Sequence, residues 1–142
     1  NVKNGIALKK VYDALSEFPS ERATVFLDAC FSGGARNESL VAMKGIKIRP
    51  KEEEVSGNTV VFASSSGNES SAVYREKQHG YFTYYLLKKL QESKGEVDYK
   101  TLDSYLNYQI KKATGLNGKV QNPQCTPSSE IDDQWENWTL KQ

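Results

Sequence analysis

Ala23-Thr24-Val25-Phe26-Leu27-Asp28-Ala29-Cys30-Phe31-Ser32-Gly33-Gly34 is the stretch that decides the fold. Its first five residues are strand formers without polar alternation, the pattern of a strand covered on both faces, as in a parallel sheet. The run breaks at Asp28, and the glycines beyond it admit backbone angles that other residues avoid. A second run of the same kind, Thr59-Val60-Val61-Phe62-Ala63, passes into a Ser-, Gly- and Asn-rich turn from Ser64 to Ser71. Open α/β sheets bind ligands beyond the carboxyl ends of their strands. Asp28, Cys30 and the segment from Ser64 to Glu69 are therefore expected along one rim.

Outward from these strands the period changes. Ile6, Val11, Ala14, Leu15 and Phe18 recur at helical spacing, with Pro19 as the expected stop. Phe82, Leu86, Leu87 and Leu90 predict a second helix, and Leu102, Tyr105, Leu106 and Ile110 a third, with Asp98 as N-cap and Gly115 as C-terminal stop. From Ala35 to Asn58 the pattern fades into a long polar loop containing Pro50. The tail from Val120 reads as a final short strand or irregular edge, and no internal repeat is visible. This order predicts one α/β sandwich with a mostly parallel sheet.

Composition narrows the classes. The 142 residues are 37% hydrophobic and 26% charged, with a formal net charge of +1. That is the balance of a globular domain able to bury about two-thirds of its unfolded surface. No apolar run approaches the roughly 18 residues of a membrane-spanning helix. Dispersed Lys and Arg give no footprint for nucleic acid. The two cysteines, Cys30 and Cys125, make neither a disulfide framework nor a metal-ligand spacing, and with His79 as the single histidine no metal site is expected. Glu52-Glu53-Glu54 reads as a solvated loop. No cofactor is implied, and calcium dependence has no signature.

Cys30 follows a buried-type strand and precedes Ser32-Gly33-Gly34, a placement that suits a nucleophile. The strand fixes its backbone, small neighbours leave room for a carbonyl, and its own N–H can help bind an oxyanion. A buried free cysteine fits the same placement.

The segment Val25 to Gly34 resembles the nucleophile segment of the caspase-like cysteine peptidases (family C14), especially metacaspase-type and bacterial members. Gly80-Tyr81-Phe82-Thr83-Tyr84-Tyr85-Leu86-Leu87 resembles that family's helix after the next strand, and the tail with Trp135 and Trp138 its closing segment. The resemblance implies a caspase-like three-layer sandwich, with Cys30 as the nucleophile of a Cys/His dyad. It implies endopeptidase action on protein or peptide substrates. Family members with an Asp at the position of Asp28 cleave after Lys or Arg, whereas true caspases carry Gln there and cleave after Asp. Asp28 is thus expected to bind the basic side chain, with Ser66 and Glu69 as neighbours in the same pocket. A carboxylate capping nearby N–H groups is the alternative for Asp28.

In this family the catalytic His stands on the strand before the nucleophile strand. That strand is expected upstream of Asn1, which makes residues 1–142 the C-terminal portion of a single peptidase domain. The missing N-terminal piece is then a partner, and autocatalytic cleavage just before Asn1 is one expected origin of the chain. Processing, trimming or excision from a longer protein also fit a start at Asn1. His79 is expected in a loop or N-cap role and Cys125 as a packing residue. A catalytically silent caspase-like interaction module and a Cys-dependent hydrolase of small substrates are the competing readings.

Overall fold

The computed structural model describes residues 6–18, 20–29, 54–66, 69, 71–131 and 133–141. In chain order these form α1 (Leu8–Ser16), β1 (Ala23–Leu27), β2 (Thr59–Ala63), β3 (Val73–Tyr74), β4 (His79–Gly80), α2 (Tyr81–Ser93), α3 (Tyr99–Gly115) and β5 (Gln124–Pro127). Cys30 and residues 31–53 lie outside the described residues, as does the expected helix stop at Pro19.

The main sheet has the order β1-β2-β5. β1 and β2 are parallel, from Ala23 opposite Thr59 to Leu27 opposite Ala63. The closing strand β5 runs antiparallel to β2, with Val60 opposite Pro127 and Ala63 opposite Gln124. Both apolar runs are strands over the residues expected. The tail supplies the short closing strand.

Successive strand residues point to opposite faces, and the core divides accordingly. Val60 and Phe62 join Leu86, Tyr99, Leu102, Leu106 and Ile110 in one cluster, with Phe26 packed against it. Val61 joins Tyr12 and Val55 in another, flanked by Leu8, Val25 and Leu27. Helix α1 thus covers one face and α2 with α3 the other, which is the three-layer α/β sandwich read from the sequence. Burying a side chain such as Phe62 contributes about 1.5–3 kcal/mol. Its ring also stacks on Phe26 and meets Tyr99 edge-on, each at 5.3 Å between centroids. β1 is less buried than its apolar run predicts, all five residues being half-buried. Among the described residues β2 is the one strand that flanks it.

Asp98 caps α3 as expected, its Oδ1 accepting from the Thr101 N–H at 2.8 Å, and the helix ends at Gly115. The β3–β4 hairpin was not foreseen. It pairs Val73 with Gly80 and Tyr74 with His79 across a 3₁₀ turn at Arg75–Lys77, closed by Gln78 at φ 56°. No helix among the described residues is long and apolar enough to cross a membrane.

Candidate active site

The parallel register that sets Leu27 beside Ala63 brings Asp28 and Ser64 off the sheet at the same end. The Ser64 N–H donates to the Leu27 carbonyl at 2.8 Å, which carries the ladder one step past the strands. Asp28 and the Ser64 turn thus share the rim expected of them.

Asp28 turns its carboxylate toward the start of α2. Thr83 Oγ1 donates to Asp28 Oδ2 at 2.6 Å, and Oδ1 is shielded from solvent. Gly80, the N-cap of α2, lies so close that a Cβ there would stand 2.4 Å from Oδ2. A carboxylate at this place faces the positive end of the helix. The sequence marked Gly80 to Leu87 as a family-like segment running into a helix, without a role for Gly80 or Thr83. The structure gives Gly80 and Thr83 a task within it: one makes room for the carboxylate and the other orients it.

The turn after β2 is tied at several points. Ser64 and Ser71, both buried, meet through their hydroxyls. Ser64 Oγ and Ser71 Oγ also lie 3.3 and 3.2 Å from the Ala29 carbonyl, each placed to donate to it. Gln121, 1% exposed, closes the base of the turn. Its Nε2 donates to the Ser64 carbonyl at 2.8 Å, and its Oε1 accepts from the Ala72 N–H at 2.9 Å. Farther along, the Ser66 carbonyl accepts from the Glu69 N–H at 2.9 Å. Glu69 is held by Asn122, whose N–H donates to Oε2 at 2.7 Å and whose side-chain amide donates to Oε1. Ser66 and Glu69 therefore stand in a clasped turn after β2, with the Glu69 carboxylate engaged by Asn122.

The remaining candidates are dispersed. His79 is exposed on β4 opposite Tyr74, one residue before the cap of α2. Cys125 lies half-buried on β5 opposite Phe62 and packs against the α2–α3 core. Burial first, and the nearby Asp103 charge second, push its thiol far above the usual range. That is the environment of a packing residue. A groove of about 840 Å³ is lined by Tyr74, Arg75, Tyr81, Lys112 and Asn117 among others, and by none of Asp28, Ser66 or Glu69. Among the described residues no cluster of His, Cys, Asp and Glu could hold a metal ion.

The sequence reading missed Thr83, the Ser64–Ser71 pair, Gln121 and Asn122. For the last two no local signal existed, since their partners lie 49 to 57 residues away.

No curated protein and no solved structure matches this chain. The family model described as the caspase domain, peptidase family C14, matches residues 1–133. Over that span run the parallel strands, the rim they share and the helix that receives Asp28. The chain belongs to the caspase-domain family of cysteine peptidases.

Proposed function

We propose that this chain carries the nucleophile of a metacaspase-type cysteine endopeptidase, which hydrolyses peptide bonds after Lys or Arg through the Cys30 thiolate. The observation that carries the reading is the Asp28 carboxylate. It is anchored by Thr83 at the carboxyl end of β1, two residues before Cys30 in a caspase-domain chain. A carboxylate so shielded pairs strongly with a guanidinium or ammonium group. Ser66 and Glu69 stand on the clasped turn that follows β2 and would form the pocket wall.

The thiolate attacks the carbonyl carbon of the scissile bond, and the C=O electrons move onto oxygen. The collapsing intermediate expels the amine, which takes a proton from an imidazolium, and water then releases the acyl group from sulfur. In this reading the imidazole belongs to a His on the strand that the family resemblance puts before β1, and His79 stays in its hairpin.

The test is a peptidase assay on the full gene product with substrates ending in Arg, Lys, Leu or Asp. Cys30→Ala abolishes turnover. Asp28→Asn removes a charge-assisted pair worth about 1.5–3 kcal/mol, lowering kcat/KM for Arg substrates by roughly one to two decades. A wild type that prefers Asp substrates overturns the specificity, and a Cys30→Ala protein with full activity overturns the mechanism.

A further inference from the structure

The chemistry on the rim leaves one arrangement unused: two buried hydroxyls from opposite ends of one turn converge on a single backbone carbonyl, that of Ala29. We infer that Ser64 and Ser71 are positioning residues that hold this carbonyl, and with it the peptide unit leading into Cys30, in one orientation. The inference rests on the peptidase reading for its catalytic consequence.

The serines are not free to follow the carbonyl. Ser64 is fully buried and Ser71 is 6% exposed. Ser64 is fixed through its N–H to Leu27 and through its own carbonyl to Gln121. Ala72, next to Ser71, is fixed to the other end of the same Gln121 amide. Gln121 therefore braces both ends of the turn, and the Ala29 carbonyl docks onto the two serines there.

Proton counting sharpens the point. Each hydroxyl has one proton, and three contacts link the two Oγ atoms and the carbonyl. Two protons serve these three contacts, and either hydroxyl is placed to donate to Ala29. Removing one serine leaves a donor for the carbonyl, whereas removing both leaves none. The two substitutions are thus expected to be strongly non-additive.

A peptide unit is planar, so a carbonyl held in place also holds the plane that carries the following N–H. An oxyanion donor is useful only if it is oriented before the reaction, and losing one outright costs about 10²–10³ in kcat. Misaligning it should lower kcat by about ten- to a hundredfold with KM within about twofold. Alkylation of Cys30 by iodoacetamide, in which sulfur displaces iodide at saturated carbon and no oxyanion forms, should keep its rate within about twofold.

The experiment compares the full gene product with Ser64→Ala, Ser71→Ala and the double variant. In this sequence Cys30 follows an alanine, whereas Cys125 follows Gln124. Labelling with ¹³C′-alanine and ¹⁵N-cysteine therefore marks the Ala29–Cys30 peptide within it. The expected result is an upfield move of the Ala29 carbonyl carbon and the kcat loss in the double variant, with small effects in either single variant. Ser64→Ala with Ser71→Thr should restore both. An unmoved carbonyl signal in a folded double variant overturns the inference, as does a moved signal with unchanged kcat. If the wild type cleaves no peptide, the peptidase reading fails, and the carbonyl signal alone decides whether the serines hold Ala29. If the double variant does not fold, the wild type is read for a hydroxyl proton coupled through its hydrogen bond to the Ala29 carbonyl carbon. Its absence overturns the inference.

Discussion

Thr83 Oγ1 donates to Asp28 Oδ2 at 2.6 Å across 55 residues of sequence, tying the end of β1 to the first turn of α2. The bond needs close approach of strand end and helix start, and Gly80 permits it. The backbone of Gly80, at φ −68° and ψ 152°, is open to any residue. What excludes a side chain there is the carboxylate itself.

Gly80→Ala should therefore destabilise the fold by about 1–3 kcal/mol through overpacking. The Cβ would stand 2.4 Å from Asp28 Oδ2 and 3.2 Å from its Cγ. Urea unfolding of Gly80→Ala, Asp28→Ala and the double variant gives the test. With the carboxylate gone, the cost of the added methyl should fall to within about 0.5 kcal/mol of zero. An undiminished cost would place the clash elsewhere.

The strands and α3 were legible because burial imposes a period on them, whereas α1 covers only Leu8–Ser16, leaves the expected Ile6 and Phe18 exposed beyond its ends, and buries Tyr12 instead. β1 and β2 read as unbroken apolar runs because the sheet is covered on both sides, Val60 and Phe62 facing α2 and α3 and Val61 facing α1. The β3–β4 hairpin escaped because two-residue strands are too short to show alternation. Its turn also uses Gln78 in the left-handed region, where sequence leads one to expect Gly or Asn. Asp28 was legible as a rim residue because it ends a strand. Its partners were not, since Thr83 looks like any polar position on an amphipathic helix. Gln121 and Asn122 sat in a polar stretch with no period at all.

Asp98 should behave as an N-cap whose charge matters. Asp98→Ala should cost about 0.5–2 kcal/mol. The Thr101 N–H, which donates to Oδ1, is the main cause that holds the Asp98 carboxyl below its ordinary value. A depressed carboxylate contributes stability that is complete above the unfolded-state value and disappears as the pH falls through the lower folded-state value. The gap in unfolding free energy between wild type and Asp98→Ala should hold steady at neutral pH and narrow in acid below that range. A gap that widens in acid would contradict the cap.

Cys125 should be inert in the native state. Its thiol is raised far above the ordinary range by burial on β5, and the thiolate is the species that alkylates. In a Cys30→Ala background, iodoacetamide at mildly alkaline pH should leave the folded protein unlabelled by mass and label it once in denaturant. Rapid labelling of the folded protein would show the site to be open. Cys125→Ala should leave peptidase activity intact, at a stability cost of about 1 kcal/mol for the lost packing.

Gln121 is the clamp of the turn, and its two ends can be tested separately. Gln121→Leu keeps much of the volume but leaves the Ser64 carbonyl and the Ala72 N–H without their amide partner. Each bare buried group costs about 1–3 kcal/mol, so the loss should be about 2–6 kcal/mol in urea unfolding. Gln121→Glu keeps an acceptor for Ala72 but, when ionised, offers no proton to Ser64 and places a charge in a site 1% exposed. Burial favours the neutral acid, which can donate to the Ser64 carbonyl as the amide did. The glutamic acid in this variant should therefore have a folded-state pKa above its unfolded value. The protonated form restores the clamp, so the penalty relative to wild type should be largest at neutral pH and shrink as the pH falls through the raised folded-state value. Unfolding free energies of wild type and Gln121→Glu across that range supply the check. A penalty that grows as the pH falls would mean that Gln121 does not close the turn through its donor end.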